Sequence, residues 1–170
     1  ILRLDRHSRI IMYYKIACLY FGNDNHREAL ARINRIINEE DVDLREDIHC
    51  FARILNLICH YELGNSDVIE YYIRSTYRFL LKKDDLHNFQ KYILNFLKKL
   101  NRIGSEEQLI DQFKGLLEQL LPLTQNRYEK RAFIYFDIIS WLESKIRKTP
   151  IQFIVKEKAQ KIINKEVQLA

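Results

Sequence analysis

Glycine and proline are nearly missing from this chain, at four and two in 170 residues. Left-handed and fixed-φ turns draw mainly on these residues, so their scarcity excludes a loop-rich all-β fold, a collagen-like repeat and a flexible linker. Cysteine is also sparse, at three. An odd number lying within helical stretches excludes a disulfide framework and suits small, reduced core residues, so the expected compartment is the cytoplasm. No apolar run approaches the roughly 18 residues that span a bilayer, and the basic, apolar, small-residue order of a signal peptide is missing. The chain opens on Ile1 rather than Met. It is therefore expected to be a fragment or to have lost residues, which leaves room upstream for a signal or for further repeats.

Linear catalytic motifs are missing as well. There is no glycine-rich phosphate loop, no His-Glu-x-x-His and no nucleophile elbow. The carboxylate pairs Asp84-Asp85 and Glu106-Glu107 stand at helix starts, where the positive end of the helix dipole accounts for them. His49-Cys50 and Cys59-His60 tempt a metal reading, but ten residues of helix place the pairs about 15 Å apart, too far to share one ion. The expectation is a protein with no enzymatic activity, no metal and no cofactor.

What the chain has in quantity is apolar residues, at 47%, arranged in long segments that begin on helix-capping residues. Asp43, Asp85 and Asn126 head three segments at separations of 42 and 41 residues, and Asn25, Ser66, Ser105 and Thr149 head an interleaved series at 41, 39 and 44. Each side-chain oxygen can accept the free N–H groups of a first helical turn. Glu28, Glu46, Gln108, Glu129 and Gln152 stand three residues beyond Asn25, Asp43, Ser105, Asn126 and Thr149, completing capping boxes, and Pro150 occupies a first helical position.

Eight helices follow, near 5–22, 25–39, 44–63, 66–83, 85–103, 105–121, 126–148 and 150–166. Gly22, Gly64 and Gly104 are placed to end helices in the left-handed conformation, Pro122 closes the sixth helix, and Thr149-Pro150 divides the last two. Short connections between long helices force antiparallel neighbours. The predicted fold is all-α: a single domain over 1–170, built as a right-handed α-solenoid of four antiparallel hairpins at about 5–39, 44–83, 85–121 and 126–166. The first helix of each hairpin is apolar on more than one face, as with Tyr13, Ile16, Ala17 and Tyr20 beside Ile10, Tyr14, Cys18 and Phe21. Such helices belong inside, between their partner and the next repeat. The second helices, with Leu30, Ile33, Ile36 and Ile37 opposed to Arg27, Arg32 and Arg35, belong outside.

The run Tyr13-x-x-Ile16-Ala17-x-x-Tyr20, followed by Ala29, Ile33 and Ile36, resembles a tetratricopeptide repeat over about the first 36 residues. Ile36 departs from it, since a small residue is usual there. The second hairpin keeps Tyr61 and the turn Gly64-Asn65, while the later two lack the small alanine. The spacing of about 41 residues exceeds that family's 34 and approaches that of HEAT-class repeats. The resemblance implies a protein- or peptide-binding scaffold with a concave groove lined by the first helices.

Candidate binding residues follow from that lining. On the third helix His49, Arg53, Asn56 and His60 share one face; on the fifth, Asn88, Lys91, Asn95, Lys98 and Arg102 do so; on the seventh, Lys130, Ile134, Asp137, Trp141, Ser144 and Lys148 align. In register these stripes would make a basic, hydrogen-bonding groove with Trp141 as its aromatic anchor and an acidic or C-terminal peptide as its ligand. They read equally as the solvated faces of amphipathic helices. Net charge is zero over residues 1–124, with 18 Lys plus Arg against 18 Asp plus Glu, and +5 over 125–170, with 10 against 5. A nucleic-acid partner for that basic last hairpin is the second expectation, and a peptide-sensing regulatory domain the third.

Overall fold

In a computed structural model the protein is all-helical over its described residues, which are 4–39, 45–84, 86–100 and 103–169. The expected caps Asp43 and Asp85, and Arg102 of the fifth helix, lie outside them. Nine α-helices run in order: α1 Arg6–Gly22, α2 His26–Ile37, α3 Glu46–Glu62, α4 Ser66–Lys82, α5 Asn88–Leu100, α6 Glu106–Leu120, α7 Ala132–Tyr135, α8 Ile138–Arg147 and α9 Ile151–Leu169, with a 3₁₀ turn at Leu121–Gln125. They pack as neighbouring pairs, α1 on α2, α3 on α4, α5 on α6 and α8 on α9. Four hairpins are therefore present, as the cap spacing predicts.

Local signals explain several of the helix starts, although Ser66, expected as a cap, is the first residue of α4, whose cap position Asn65 makes no side-chain cap bond. The Asn25 side chain accepts the Glu28 amide at 3.3 Å and Ser105 accepts that of Gln108 at 3.2 Å, which are two of the predicted caps. Asp5 does the same for Ser8 at 2.8 Å. Gly64 ends α3 at φ +69, with its own amide bonded to Tyr61 and that of Asn65 to His60, the paired closing bonds of a Schellman end. After α1 the left-handed place falls to Asp24, at φ 56, and not to Gly22, which closes the helix itself. A short side chain that hydrogen-bonds locally tolerates that conformation better than most.

The predicted seventh helix, 126–148, is not continuous, and its break shapes the molecule. Asn126 Oδ1 accepts the amides of Tyr128 and Glu129 at 2.9 and 3.2 Å, but only turns follow before the four-residue α7. Phe136 is extended, at φ −148 and ψ 122, and Asp137 then caps a new helix through the Ser140 amide at 3.0 Å and its hydroxyl at 2.6 Å. Freed from one helix axis, the aromatic residues of this stretch reach back across the chain. Tyr135 stacks on Phe51 of α3 at 4.5 Å, Phe136 meets Phe21 of α1 edge-on at 5.2 Å, and Phe133 meets Phe89 of α5 at 5.2 Å. Residues on the first helices of all three preceding hairpins are thus covered by the chain itself.

Helix α3 is the centre of this packing. Every residue from Ile48 to His60 is buried except Arg53. Trp141 of α8 closes the core at its end, 1% exposed, with its ring set edge-on to Tyr61, Phe96 and Phe113 at 6.3, 6.4 and 5.6 Å. Its indole N–H donates to Glu62 Oε1 at 2.5 Å, and Lys145 pairs with the other oxygen of that carboxylate. Trp141→Ala is expected to cost about 3–5 kcal/mol of unfolding free energy. A double-mutant cycle of Trp141→Phe with Glu62→Gln, read by urea denaturation, should give a coupling of about 1–2 kcal/mol; additive effects would show that the two side chains do not meet.

Candidate functional site

The predicted site residues separate into three places. His49, Asn56 and His60 are buried, at 0, 3 and 7% exposure, and do not form a solvent-facing groove. The cause is the position of α3, whose polar stripe is met by helices on both sides. Asn56 Nδ2 donates to Asn34 Oδ1 of α2 at 3.2 Å, and the His60 ring stacks on Tyr72 of α4 at 4.5 Å while its Nδ1 lies 3.0 Å from the Asn65 amide nitrogen. Burial holds the His60 imidazole below its ordinary pKa. Trp141 belongs to the core just described, so it anchors the protein and not a ligand. Arg53 is half-buried between α3 and α4, and Asn88, Lys91, Asn95 and Lys98 of α5 are exposed, as are Lys130, Ile134, Asp137 and Lys148 of the last stripe.

Asn95 leads to a cleft of about 680 Å³ between α4 and α5. Its walls are Glu70, Arg74, Tyr77 and Arg78 from α4 and Asn95 and Lys98 from α5, over a floor of Ile73 and Leu94. The spacing explains the convergence: positions 70, 74, 77 and 78 share one face of α4, as 91, 95 and 98 do on α5. From the sequence, Glu70 and Arg74 form an ordinary i, i+4 ion pair. In the structure no carboxylate lies within ion-pair distance of Arg74, Arg78 or Lys98 among the described residues.

Other exposed cations, Lys15, Arg27, Lys99 and Lys156 among them, also have no carboxylate partner among the described residues. Arg74, Arg78 and Lys98 differ in lying together around one cleft, while several cations elsewhere are paired. Arg6 and Arg9 meet Glu39, Arg32 meets Glu28, and Lys83 meets Glu46. The last hairpin, which holds the whole net charge, neutralises much of it internally. Lys145 pairs with Glu62, Arg147 and Lys161 with Glu157, Lys148 with Glu106, and Lys158 with Glu143. Arg127, Lys130, Lys156 and Lys165 of the same stretch are exposed and have no carboxylate partner among the described residues.

A second cluster, around Asp47, is self-satisfied. Arg45 Nε and Nη2 each lie 2.9 Å from one carboxylate oxygen, Arg131 Nη2 approaches at 3.8 Å, and the Tyr135 hydroxyl donates a short hydrogen bond. Burial would raise the Asp47 carboxyl, but the bonds from Arg45 and Tyr135 outweigh it and hold the group well below the usual carboxylate range. Nearby, the Glu129 carboxylate accepts the Phe89 amide at the start of α5, at 2.8 Å. The small cavity beside these groups, about 180 Å³, is lined by acidic groups that already have partners.

Other reactive groups are held quiet. Burial pushes the Cys18 thiol up to about 11, and Cys50 and Cys59 are buried. Among the described residues no three His, Cys, Asp or Glu side chains are placed to hold one metal ion, and no helix is long and apolar enough to cross a membrane. Comparison with protein-family models, with curated proteins and with solved structures found no match for this chain.

The Asp47 cluster makes the fold acid-sensitive with a definite sign. Because the folded-state pKa is depressed, its stabilisation is fully present above about pH 4 and is lost as pH falls toward the folded value. Urea midpoints compared at about pH 6 and about pH 3 should fall less in Asp47→Asn than in the parent protein. An equal fall in both would show that the carboxylate is not held by its neighbours.

Proposed function

We propose that this chain is a binding module for an acidic segment of another protein, taken up between α4 and α5. The observation that carries this reading is the set of three unpaired cations, Arg74, Arg78 and Lys98, around one open cleft. An unpaired guanidinium beside a cavity offers a planar fork of N–H donors that matches a carboxylate. The floor of Ile73 and Leu94 and the half-exposed ring of Tyr77 supply apolar contact. Side chains of both kinds, acidic and apolar, would be satisfied together.

This reading keeps the interaction role implied by tetratricopeptide-like repeats but moves it off the covered inner face to the cleft between α4 and α5. The inner face, where such scaffolds hold peptides, is occupied here by Phe133, Tyr135, Phe136 and Trp141. A peptide there would have to displace a packed aromatic layer and the hydrogen bonds on Asp47 and Glu62. The α4–α5 cleft needs no such rearrangement. Glu70 and the apolar floor also suit a peptide better than a nucleic-acid backbone, which favours a continuous basic track.

The test is a titration of fluorescent peptides that alternate Asp or Glu with Leu, followed by anisotropy. The parent protein should bind with an affinity that weakens as salt is raised, and Arg74→Glu combined with Arg78→Glu should reduce binding by roughly tenfold or more. Equal binding by parent and variant would remove the cleft from the mechanism. Preferential binding of single-stranded RNA by the parent would replace the peptide reading with a nucleic-acid one.

A further inference from the structure

On the opposite flank of α4 lies a smaller pocket, about 310 Å³, walled by α2, α3 and α4. Its polar lining consists of Arg53, Asn34, Asn38 and Asn56, the hydroxyl residues Ser75 and Thr76, and the phenols of Tyr71 and Tyr72. Among the described residues no aspartate or glutamate lines it. We propose that this pocket is a binding site for the phosphate monoester group of a small molecule, with Arg53 as its central ligand-binding residue.

Arg53 is the reason. Its guanidinium lies 3.9 Å over the Phe79 ring, its Nε is fully buried, and that Nε has no hydrogen-bond partner. The aromatic face satisfies only the face of the cation; Nε is enclosed, so the terminal Nη groups are the donors that an acceptor entering the pocket can meet. Among the described residues no carboxylate pairs with Arg53, although Arg6, Arg9, Arg32, Arg45 and Arg147 each have one. Burial even pushes the Arg53 pKa down from its ordinary value. A half-buried, unpaired guanidinium is a standing cost that an incoming oxyanion would relieve.

The surrounding groups select among oxyanions. A carboxylate has two oxygens and about four acceptor positions, of which a bidentate guanidinium takes two and leaves two. The amides of Asn34 and Asn38 and the hydroxyls of Ser75 and Thr76 add donors beyond that number, and a phosphate monoester brings three terminal oxygens to meet them. Asn56 is already turned toward Asn34 and fixes that wall. Tyr71, 61% exposed and set edge-on to Tyr72 at 5.5 Å, stands at the mouth and leaves the remainder of the molecule facing solvent. The site is separate from the α4–α5 cleft, so neither assignment depends on the other.

The probe is inorganic phosphate, with phosphoserine peptide and acetate as parallel arms, and the readouts are calorimetry and the NMR resonance of the Arg53 Nε–H. Phosphate should shift that resonance and bind, acetate should bind more weakly, and phosphoserine peptide should bind no better than free phosphate. Arg53→Gln should reduce affinity by roughly 10- to 100-fold. Should that variant fail to fold, Ser75→Asp provides the second arm, since its carboxylate would pair with Arg53 in place and abolish phosphate binding. An unmoved resonance at millimolar phosphate, or parent-like affinity in Ser75→Asp, overturns the proposal. Tighter binding of the phosphopeptide than of free phosphate would overturn the small-molecule source.

Discussion

Glu62, at the last turn of α3, is the point on which the rest of the structure depends. Its carboxylate is nearly buried and is shared by the indole N–H of Trp141 and the ammonium of Lys145, with His26 Nε2 at 3.9 Å. A buried carboxylate is tolerated only with such partners, so the bond that satisfies Glu62 also fixes where α8 must lie. Once α8 is set against α3 and α6, the short segment before it can travel only across the first helices. Tyr135 then lands on Phe51 and Asp47, and Phe136 on Phe21. A stack of hairpins that could have stayed open is closed by one of its own members.

That closure redistributes chemistry over the molecule. Polar groups of α3 that would line an open groove are drawn into bonds between layers, and cations of the last hairpin are spent on neighbouring carboxylates. Around the α4–α5 cleft three cations stand together with no carboxylate partner among the described residues. Function is read from sites and not from fold, and the two clefts proposed as sites lie on the flanks of α4. The two flanks of α4 differ in kind. One is open, mixed and apolar at its floor, and the other is small, polar and built around a single guanidinium.

The parts of this arrangement that depend on three or four consecutive residues are legible in the sequence. Asn25 and Ser105 cap their helices where the spacing places them, because the acceptor and the amide it satisfies are three residues apart. The amphipathic period also places α4 and α5 with their polar sides outward. The break at Phe136 is a different matter. Asp137-x-x-Ser140 is a capping signal in its own right, yet it also fits the polar side of a continuous helix begun at Asn126, and only contacts with Phe21 and Phe51 decide between the two. Trp141 is illegible for the same reason: its period places it beside polar residues, while its burial follows from Glu62, 79 positions away. Arg74 and Arg78 are visible as basic residues, but that they have no partner is a tertiary fact.

The self-closed core is tested most directly by the intrinsic fluorescence of Trp141, the single tryptophan of the chain. Native protein should emit at the short wavelengths of an apolar site and resist quenching by acrylamide and iodide until urea unfolds it, since the side chain is 1% exposed. Emission at the wavelength of a water-exposed indole, quenched equally in native and unfolded protein, would contradict the closure and return the inner helices to solvent.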